Sequence, residues 1–303
     1  MALKLAILTK NPSLYSVKRF KMAVAQQKHN LTLVDPAYCA MVTAGGKSYV
    51  VDFNNRPLDY FDFVIPRFGS TVGDYSISLV RHFEFSGMRV INGYQAIENT
   101  RNKFNSLQRL AEEGIAVPPS ILLKNTFEAP SAVERLGGLP VVIKFIRGTQ
   151  GLGVILAESM HALRSIVDAF NVLGYDLYLQ RYIRKERGND LRLFVIGDKV
   201  VASMRRVAKR GEFRSNIHQG GDALTAPALP EVEEMAVRSC RVLGLDYGGV
   251  DIIETDEGNQ VLEVNCSPGF EGMEKASGKD IAGTIIAWVA SLAGAARKKK
   301  GGP

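Results

Sequence analysis

Val261-Leu-Glu-Val-Asn-Cys-Ser-Pro-Gly269, VLEVNCSPG in one-letter code, sets Glu263 and Asn265 two residues apart in an apolar run that reads as a buried β-strand. Upstream, GGVDIIET ends at Thr255, and Asp256-Glu257-Gly258-Asn259 is rich in turn formers. The two runs therefore read as a β-hairpin. With the turn centred on Glu257, Asp251 faces Glu263, and Asn265 lies one diagonal step further along the same face. Like charges opposite one another in a hairpin destabilise it, so a positive partner is required there. Three hard oxygen donors on one patch suit a magnesium ion. An arginine bridging Glu263, with Asn265 capping the SPG turn, satisfies the same residues and stays open on spacing alone.

Outward from the hairpin, RGTQGLG places Gly148, Gly151 and Gly153 between the strand-like LPVVIKFI and VILAES. The segment lacks the ending of a Walker A loop, and no helix follows it as a dinucleotide fingerprint demands. A glycine-rich tip between two strands can lie over a polyphosphate and offer backbone N–H groups; a plain flexible hairpin has the same pattern. Lys144 stands inside VVIKFI, where its ammonium is costly to bury unless an anion meets it or the chain snorkels from an edge strand. A nucleotide phosphate is such an anion. YLQRYIRKERGNDLRLFVI then passes from strand through a polar link to Asp190 and another strand, a pattern for a cleft between lobes or for a surface loop. Arg205, Arg206, Lys209, Arg210 and Arg214 cluster in MRRVAKRGEFRSNIHQGG, which suits phosphate and carboxylate ligands as well as a solvated basic loop.

The first hundred residues alternate strand-like segments (LKLAILT, LTLVDP, FDFVIPRF, MRVING) with helical patterns near Leu14–Gln27 and Tyr75–Phe85, the mark of a small α/β unit with a largely parallel sheet. Asn102–Glu113 reads as an amphipathic helix stopped by Gly114, and the domain boundary is placed between Asn92 and Asn102. Length and composition agree with two or three domains: 303 residues, 46% hydrophobic and 23% charged. The net charge of +7 falls once Arg297, Lys298, Lys299 and Lys300 are set aside, leaving 34 basic against 31 acidic residues. RKKKGGP is read as a frayed, solvated tail, with nucleic-acid contact as its alternative. Ile281–Ala296 is too short and too interrupted for a membrane span. Cys39, Cys240 and Cys266 form no C-x-x-C pair, which argues against a disulfide framework or zinc ribbon and for a reducing cytoplasm.

Taken together, LAILT, TRNKFNSLQRLAEEGI, PVVIKFIRGTQGLGVILAE, DLRLFVIGDKVVASMRRVAKRGEFRSNIHQGG, GVDII and LEVNCSPGFEGMEKASGKDIAG resemble the RimK family of glutamate ligases within the ATP-grasp superfamily. The resemblance implies an α/β (α+β) chain: a Rossmann-like pre-ATP-grasp domain over 1–96, an ATP-grasp domain over 107–290 with lobes near 107–179 and 180–290, and a basic tail at 291–303. It implies that Lys103 and Lys144 contact ATP phosphates under the glycine loop, that Gln180, Arg181, Tyr182 and Ile183 read adenine, and that Asp190 holds ribose. Arg214, Ser215 and Asn216 fall at the nucleotide and acyl-phosphate side, and Asp251, Glu263 and Asn265 bind two magnesium ions, manganese being an alternative.

By the same resemblance the substrates are L-glutamate and the C-terminus of ribosomal protein S six, with free polyglutamate as a further product, ribosome contact, no membrane contact, and a homo-oligomer, a homotetramer by family analogy. Arg206 and Arg214 are the candidates for stabilising the tetrahedral intermediate. Two departures stand out: Arg181 where the family usually has Glu, and Cys266 where it usually has a small alanine. The rivals are a ligase of the same fold acting on a small metabolite or cofactor, and a non-catalytic ribosome- or RNA-binding module.

Overall fold

The computed structural model describes residues 2–68, 73–146, 153–184, 189–209 and 222–300. The chain begins with β1 (Lys4–Leu8), α1 (Tyr15–Gln26), β2 (Asn30–Val34), the hairpin β3 (Cys39–Ala44) and β4 (Lys47–Asp52), then β5 (Phe63–Pro66), α2 (Asp74–Phe85) and β6 (Arg89–Val90). Four of these strands make a parallel sheet in the order β2-β1-β5-β6. Its central strands are apolar on both faces because both faces are covered. Leu5, Ile7, Phe63 and Ile65 enter one core with Phe20 of α1, whereas Ala6, Leu8 and Val64 enter another with Leu79 and Phe83 of α2. The β3–β4 hairpin was not foreseen: its strands carry few of the apolar alternations that mark a buried strand, and it pairs with itself at the edge of that second core.

Two helices then lead out of the first unit, α3 (Tyr94–Arg101) and α4 (Lys103–Glu112), the latter capped by the Asn102 side chain, which accepts from the Asn105 N–H. The second sheet follows: β7 (Ser120–Leu123), α5 (Ala129–Arg135), β8 (Val141–Lys144), β9 (Val154–Ala157), α6 (Met160–Val172) and β10 (Leu177–Arg181), antiparallel in the order β7-β10-β8-β9. The third sheet is built from β11 (Asp190–Ile196), β12 (Lys199–Val207), β13 (Asp222–Thr225), then α7 (Pro230–Val242), β14 (Tyr247–Thr255) and β15 (Gly258–Asn265), in the order β13-β12-β11-β14-β15.

The two faces of this third sheet differ. Leu191, Leu193, Val195, Val250, Ile252, Val261 and Val264 point to one side, where they pack with α4 and α7. On the other side Phe194, Ile196, Ala202, Met204 and Tyr247 share a core with β1, β5, α1, α8 (Glu271–Ser277) and α9 (Ile281–Lys300). That apolar contact covers one end of the face, and the charged residues Asp190, Arg192, Arg206, Asp251 and Glu263 occupy the other end. The fold thus seats the first unit on half of the sheet and leaves the remaining half for chemistry. The helix α9 continues through the basic residues to Lys300, where a frayed tail was expected. Among the described residues no helix is long and apolar enough to cross a membrane, and the three cysteines are free thiols.

Candidate active site

The hairpin β14–β15 turns at Asp256-Glu257, with Thr255 opposite Gly258. A two-residue turn followed by regular pairing would place Leu262 opposite Asp251 and send Glu263 to the far face. A β-bulge between Asp251 and Ile252 absorbs Leu262, so Asp251 faces Glu263 and Gly249 faces Asn265. The expected pairing is therefore present, but through a tighter turn plus a bulge.

The positive partners that the hairpin requires come from β11, β12 and α4. Asp251 is buried and accepts two hydrogen bonds from Arg192, from Nε and Nη2, each 2.6 Å, because Arg192 stands directly opposite it in the β11–β14 ladder. Arg206 Nη2 adds a contact of 2.9 Å to the same carboxylate. Burial alone would push the Asp251 carboxyl up, yet the two guanidinia hold it down at about 2. Arg206 also forks onto Asp190, its cross-strand partner, with Nε to Oδ1 at 2.6 Å. Burial works against the Arg206 charge, and Asp190 and Asp251 more than compensate, raising its pKa. Glu263 pairs with Lys103 Nζ at 2.7 Å; Lys103 is fixed at the first turn of α4, and its N–H donates to the Ile146 carbonyl at 3.1 Å.

Lys144 arrives from the other sheet, at the end of β8 beside Tyr178 and Val154. Burial first, and Lys103 next, push its amine down to about 8, against the pull of Glu263, Asp251 and Asp190. The two sheets therefore face each other across a group of four basic residues (Lys103, Lys144, Arg192, Arg206) and three acidic ones (Asp190, Asp251, Glu263). Those described residues carry a surplus of one positive charge, which favours a polyanion.

Other expected residues are placed as follows. Gly153 closes the β8–β9 hairpin at φ +78°, where a Cβ would come 2.0 Å from Phe145 Cδ2, so the glycine is demanded by local packing as well as by any ligand. Gln180 is buried, and its amide donates to Ser120 Oγ at 2.9 Å and to the Tyr178 hydroxyl at 3.1 Å; its side chain belongs to the sheet. Arg181 turns toward α5, donating Nε to the Leu136 carbonyl at 3.0 Å. This gives the arginine at that departure position a helix-end carbonyl to hold. Tyr182 and Ile183 continue beyond β10 as a half-buried irregular segment. Gly148, Gly151, Arg214, Ser215 and Asn216 lie outside the described residues.

Arg192 was missed by sequence reasoning, although its signal was present: in Asp190-Leu191-Arg192 the charges alternate with an apolar residue, so both fall on one strand face. Among the described residues no three His, Cys, Asp or Glu side chains converge in a manner that could hold a metal ion. The donor set is instead two carboxylates and an amide. Asn265 Nδ2 is buried without a hydrogen-bond partner, so its N–H is open to an acceptor such as a phosphate oxygen, while Oδ1 is the atom that would meet a cation. Such a set fits magnesium that takes one or two carboxylates from the protein and its remaining oxygens from phosphates and water.

Comparison with known proteins shows the family and the fold. The RimK pre-ATP-grasp domain family matches residues 3–97 and the RimK-like ATP-grasp domain family residues 100–289. A protein of Alkalilimnicola ehrlichii named probable alpha-L-glutamate ligase is 44% identical over 287 residues, 95% of each chain. One of the same name from Pseudomonas aeruginosa is 42% identical over 301 residues, 99% of this chain and 97% of that one. Among solved structures, a RimK domain ATP-grasp protein from Sphaerobacter thermophilus superposes with a TM-score of 0.74 at 22% identity, covering 94% of this chain and 98% of that chain. The ATP-grasp ligase PsnB, solved with a minimal precursor, Mg and ADP, gives 0.71 at 19% identity, with 94% and 98% covered. These two likenesses are of fold.

Proposed function

The chain belongs to the RimK-like ATP-grasp family and is an ATP-dependent ligase, and from that premise we propose that it joins L-glutamate to the carboxyl terminus of ribosomal protein S six, with free polyglutamate as a second product. The observation that carries the proposal is the meeting of Lys144 and Lys103 with Asp190, Asp251 and Glu263 between the two sheets. Near-complete coverage by relatives named probable alpha-L-glutamate ligase supports glutamate as the amine.

In this reading the two lysines neutralise the nucleotide phosphates, and the glycine-rich segment with Gly148, Gly151 and Gly153 offers them backbone N–H groups. Asp190 faces the ribose, and the backbone from Gln180 to Ile183 faces adenine. Asp251, Glu263 and Asn265 would hold a divalent cation, magnesium or manganese, which would supply positive charge against the negative charge that develops on the phosphates. The terminal carboxylate of the acceptor takes the γ-phosphoryl group, and the glutamate amine then displaces phosphate to form the peptide bond. No nucleophile of the protein is needed. Arg206, with Arg214, is the proposed donor to the oxygen that becomes negative in that second step. Arg192 keeps Asp251 ionised and oriented throughout.

The test is incubation with ATP, magnesium, glutamate and ribosomes, followed by intact-protein mass spectrometry. Successive glutamyl increments on one ribosomal protein are expected. Unmodified ribosomes together with glutamate-dependent ADP release would replace this acceptor with a small metabolite or a growing polyglutamate chain.

A further inference from the structure

Asn92 follows β6 of the first sheet, yet its side chain is 1% exposed and buried against the third. Its Nδ2 donates to the carbonyls of Tyr247 and Cys266, each at 2.8 Å. Its Oδ1 accepts from the backbone N–H groups of Asp246, at 2.6 Å, and Tyr247, at 3.1 Å. Both donor hydrogens and both acceptor lone pairs of the amide are therefore used. Tyr247 opens β14 and Cys266 follows the last residue of β15, so one side chain ties together the two strands just beyond the Gly249–Asn265 pair.

That is the open end of the hairpin, where pairing ends and Asn265 stands. Arg67, after β5, supports the same place. Its buried guanidinium donates Nη2 to the Pro268 carbonyl at 2.9 Å and lies 5.8 Å from the ring centres of both Phe20 and Phe270. Pro268 in turn rests on Gly249, where an added Cβ would come 2.8 Å from its own. The turn after Asn265 is thus held from the first domain by an amide and a guanidinium, and from beneath by a glycine.

We propose that Asn92, supported by Arg67, is a positioning residue for Asn265: the N-terminal domain sets the end of the donor hairpin and through it the affinity for a metal-bound nucleotide. This rests on the reading that Asp251, Glu263 and Asn265 hold the cation. An amide side chain suits the task because it can bind two carbonyls and two N–H groups at once. A carboxylate in its place keeps the two acceptor bonds and loses both donors.

The experiment is calorimetric titration of the full-length protein with ADP, in magnesium and in EDTA, for the wild type, Asn92→Asp and Asn99→Ala. Asn99 is the control, since its Nδ2 joins α3, the helix that leads out of the first unit, to the Leu243 carbonyl at 3.1 Å, away from the open end of the hairpin. Asn92→Asp is expected to weaken ADP binding about 10-fold in magnesium, the usual effect of losing a group that orients a metal ligand, with binding in EDTA unchanged. Asn99→Ala lowers the melting temperature and leaves the magnesium increment as in the wild type. An intact increment in folded Asn92→Asp, or equal losses with and without magnesium, overturns the inference while the metal reading stands. A wild type whose ADP affinity ignores magnesium overturns both. If Asn92→Asp does not fold, Arg67→Met is read by the same pair of titrations, and an unchanged increment there is equally decisive against the proposal.

Discussion

Arg206 serves two buried carboxylates at once, and its replacement by Gln is the most severe test of the electrostatic account. In the folded protein Arg206 and Asp190 are bidentate partners, 4% and 6% exposed, and the second guanidinium nitrogen also reaches Asp251. Removing one member of a buried ion pair costs roughly 3–5 kcal/mol, because a desolvated charge loses its compensation. Asp251 keeps both bonds from Arg192, so the cost falls mainly on Asp190. Asp190→Asn should cost less, since Arg206 retains Asp251. In Arg206→Gln/Asp190→Asn the two neutral side chains can bond each other, so the double variant should be more stable than the sum of the singles by about 2 kcal/mol, within the usual range for contacting residues. Urea unfolding followed by Trp288 fluorescence measures this, because α9 packs on the core that contains Phe194 and Met204 of the same two strands. Magnesium-ADP affinity should fall in Arg206→Gln and recover in part in the double variant. Single effects that simply add, within about 0.5 kcal/mol, would refute the account of Arg206 as the shared counter-ion.

Lys144 titrates near pH 8 in the free protein, below the ordinary 10.5, so the unfolded chain binds more protons between those values. The ligand-free stability should accordingly rise with pH from about 8 to 10.5, and Lys144→Met should remove that slope in pH-dependent urea melts. A phosphate beside the amine restores its proton. ATP binding at pH 8 should therefore take up about half a proton, seen as a buffer-dependent enthalpy that Lys144→Met abolishes. Gly153→Ala sets a methyl against Phe145 at a left-handed φ and should cost about 1–3 kcal/mol, with a raised KM for ATP in steady-state assays. Deleting Leu262 removes the bulge and leaves Glu263 opposite Asp251 in regular pairing; a folded variant should keep magnesium-dependent nucleotide binding by calorimetry, whereas inserting one residue after Leu262 should turn Glu263 to the far face and abolish it.

Much of the site was legible in the sequence because strand alternation is local. Period-two spacing alone placed Glu263 and Asn265 on a common face, the assumed turn brought Asp251 to it, and an ammonium in VVIKFI already demanded an anion. The hairpin pairing was legible for a reason the sequence does not contain: the turn is one residue tighter than its composition suggested, and the bulge at Leu262 returns Glu263 to the site. The link from Gln180 to Ile183 is expected, from the resemblance, to meet adenine through its backbone, and packing turns the side chains of Gln180 and Arg181 into the protein, a direction the sequence did not carry.

The amino-acid order by itself determined most of the strands around the site and the faces they bury, though not the β3–β4 hairpin, and that oxygen donors and lysines would need partners of opposite charge. Only the tertiary structure decided who those partners are. Arg192 and Arg206 reach Asp251 across neighbouring strands, Lys103 reaches Glu263 from a helix, and Asn92 reaches the hairpin from 155 residues away in the chain. The physical reason is that side-chain direction follows from backbone period, a property of a few adjacent residues. Charge compensation and hydrogen-bond satisfaction in a buried place depend on whatever the fold brings within about 3 Å.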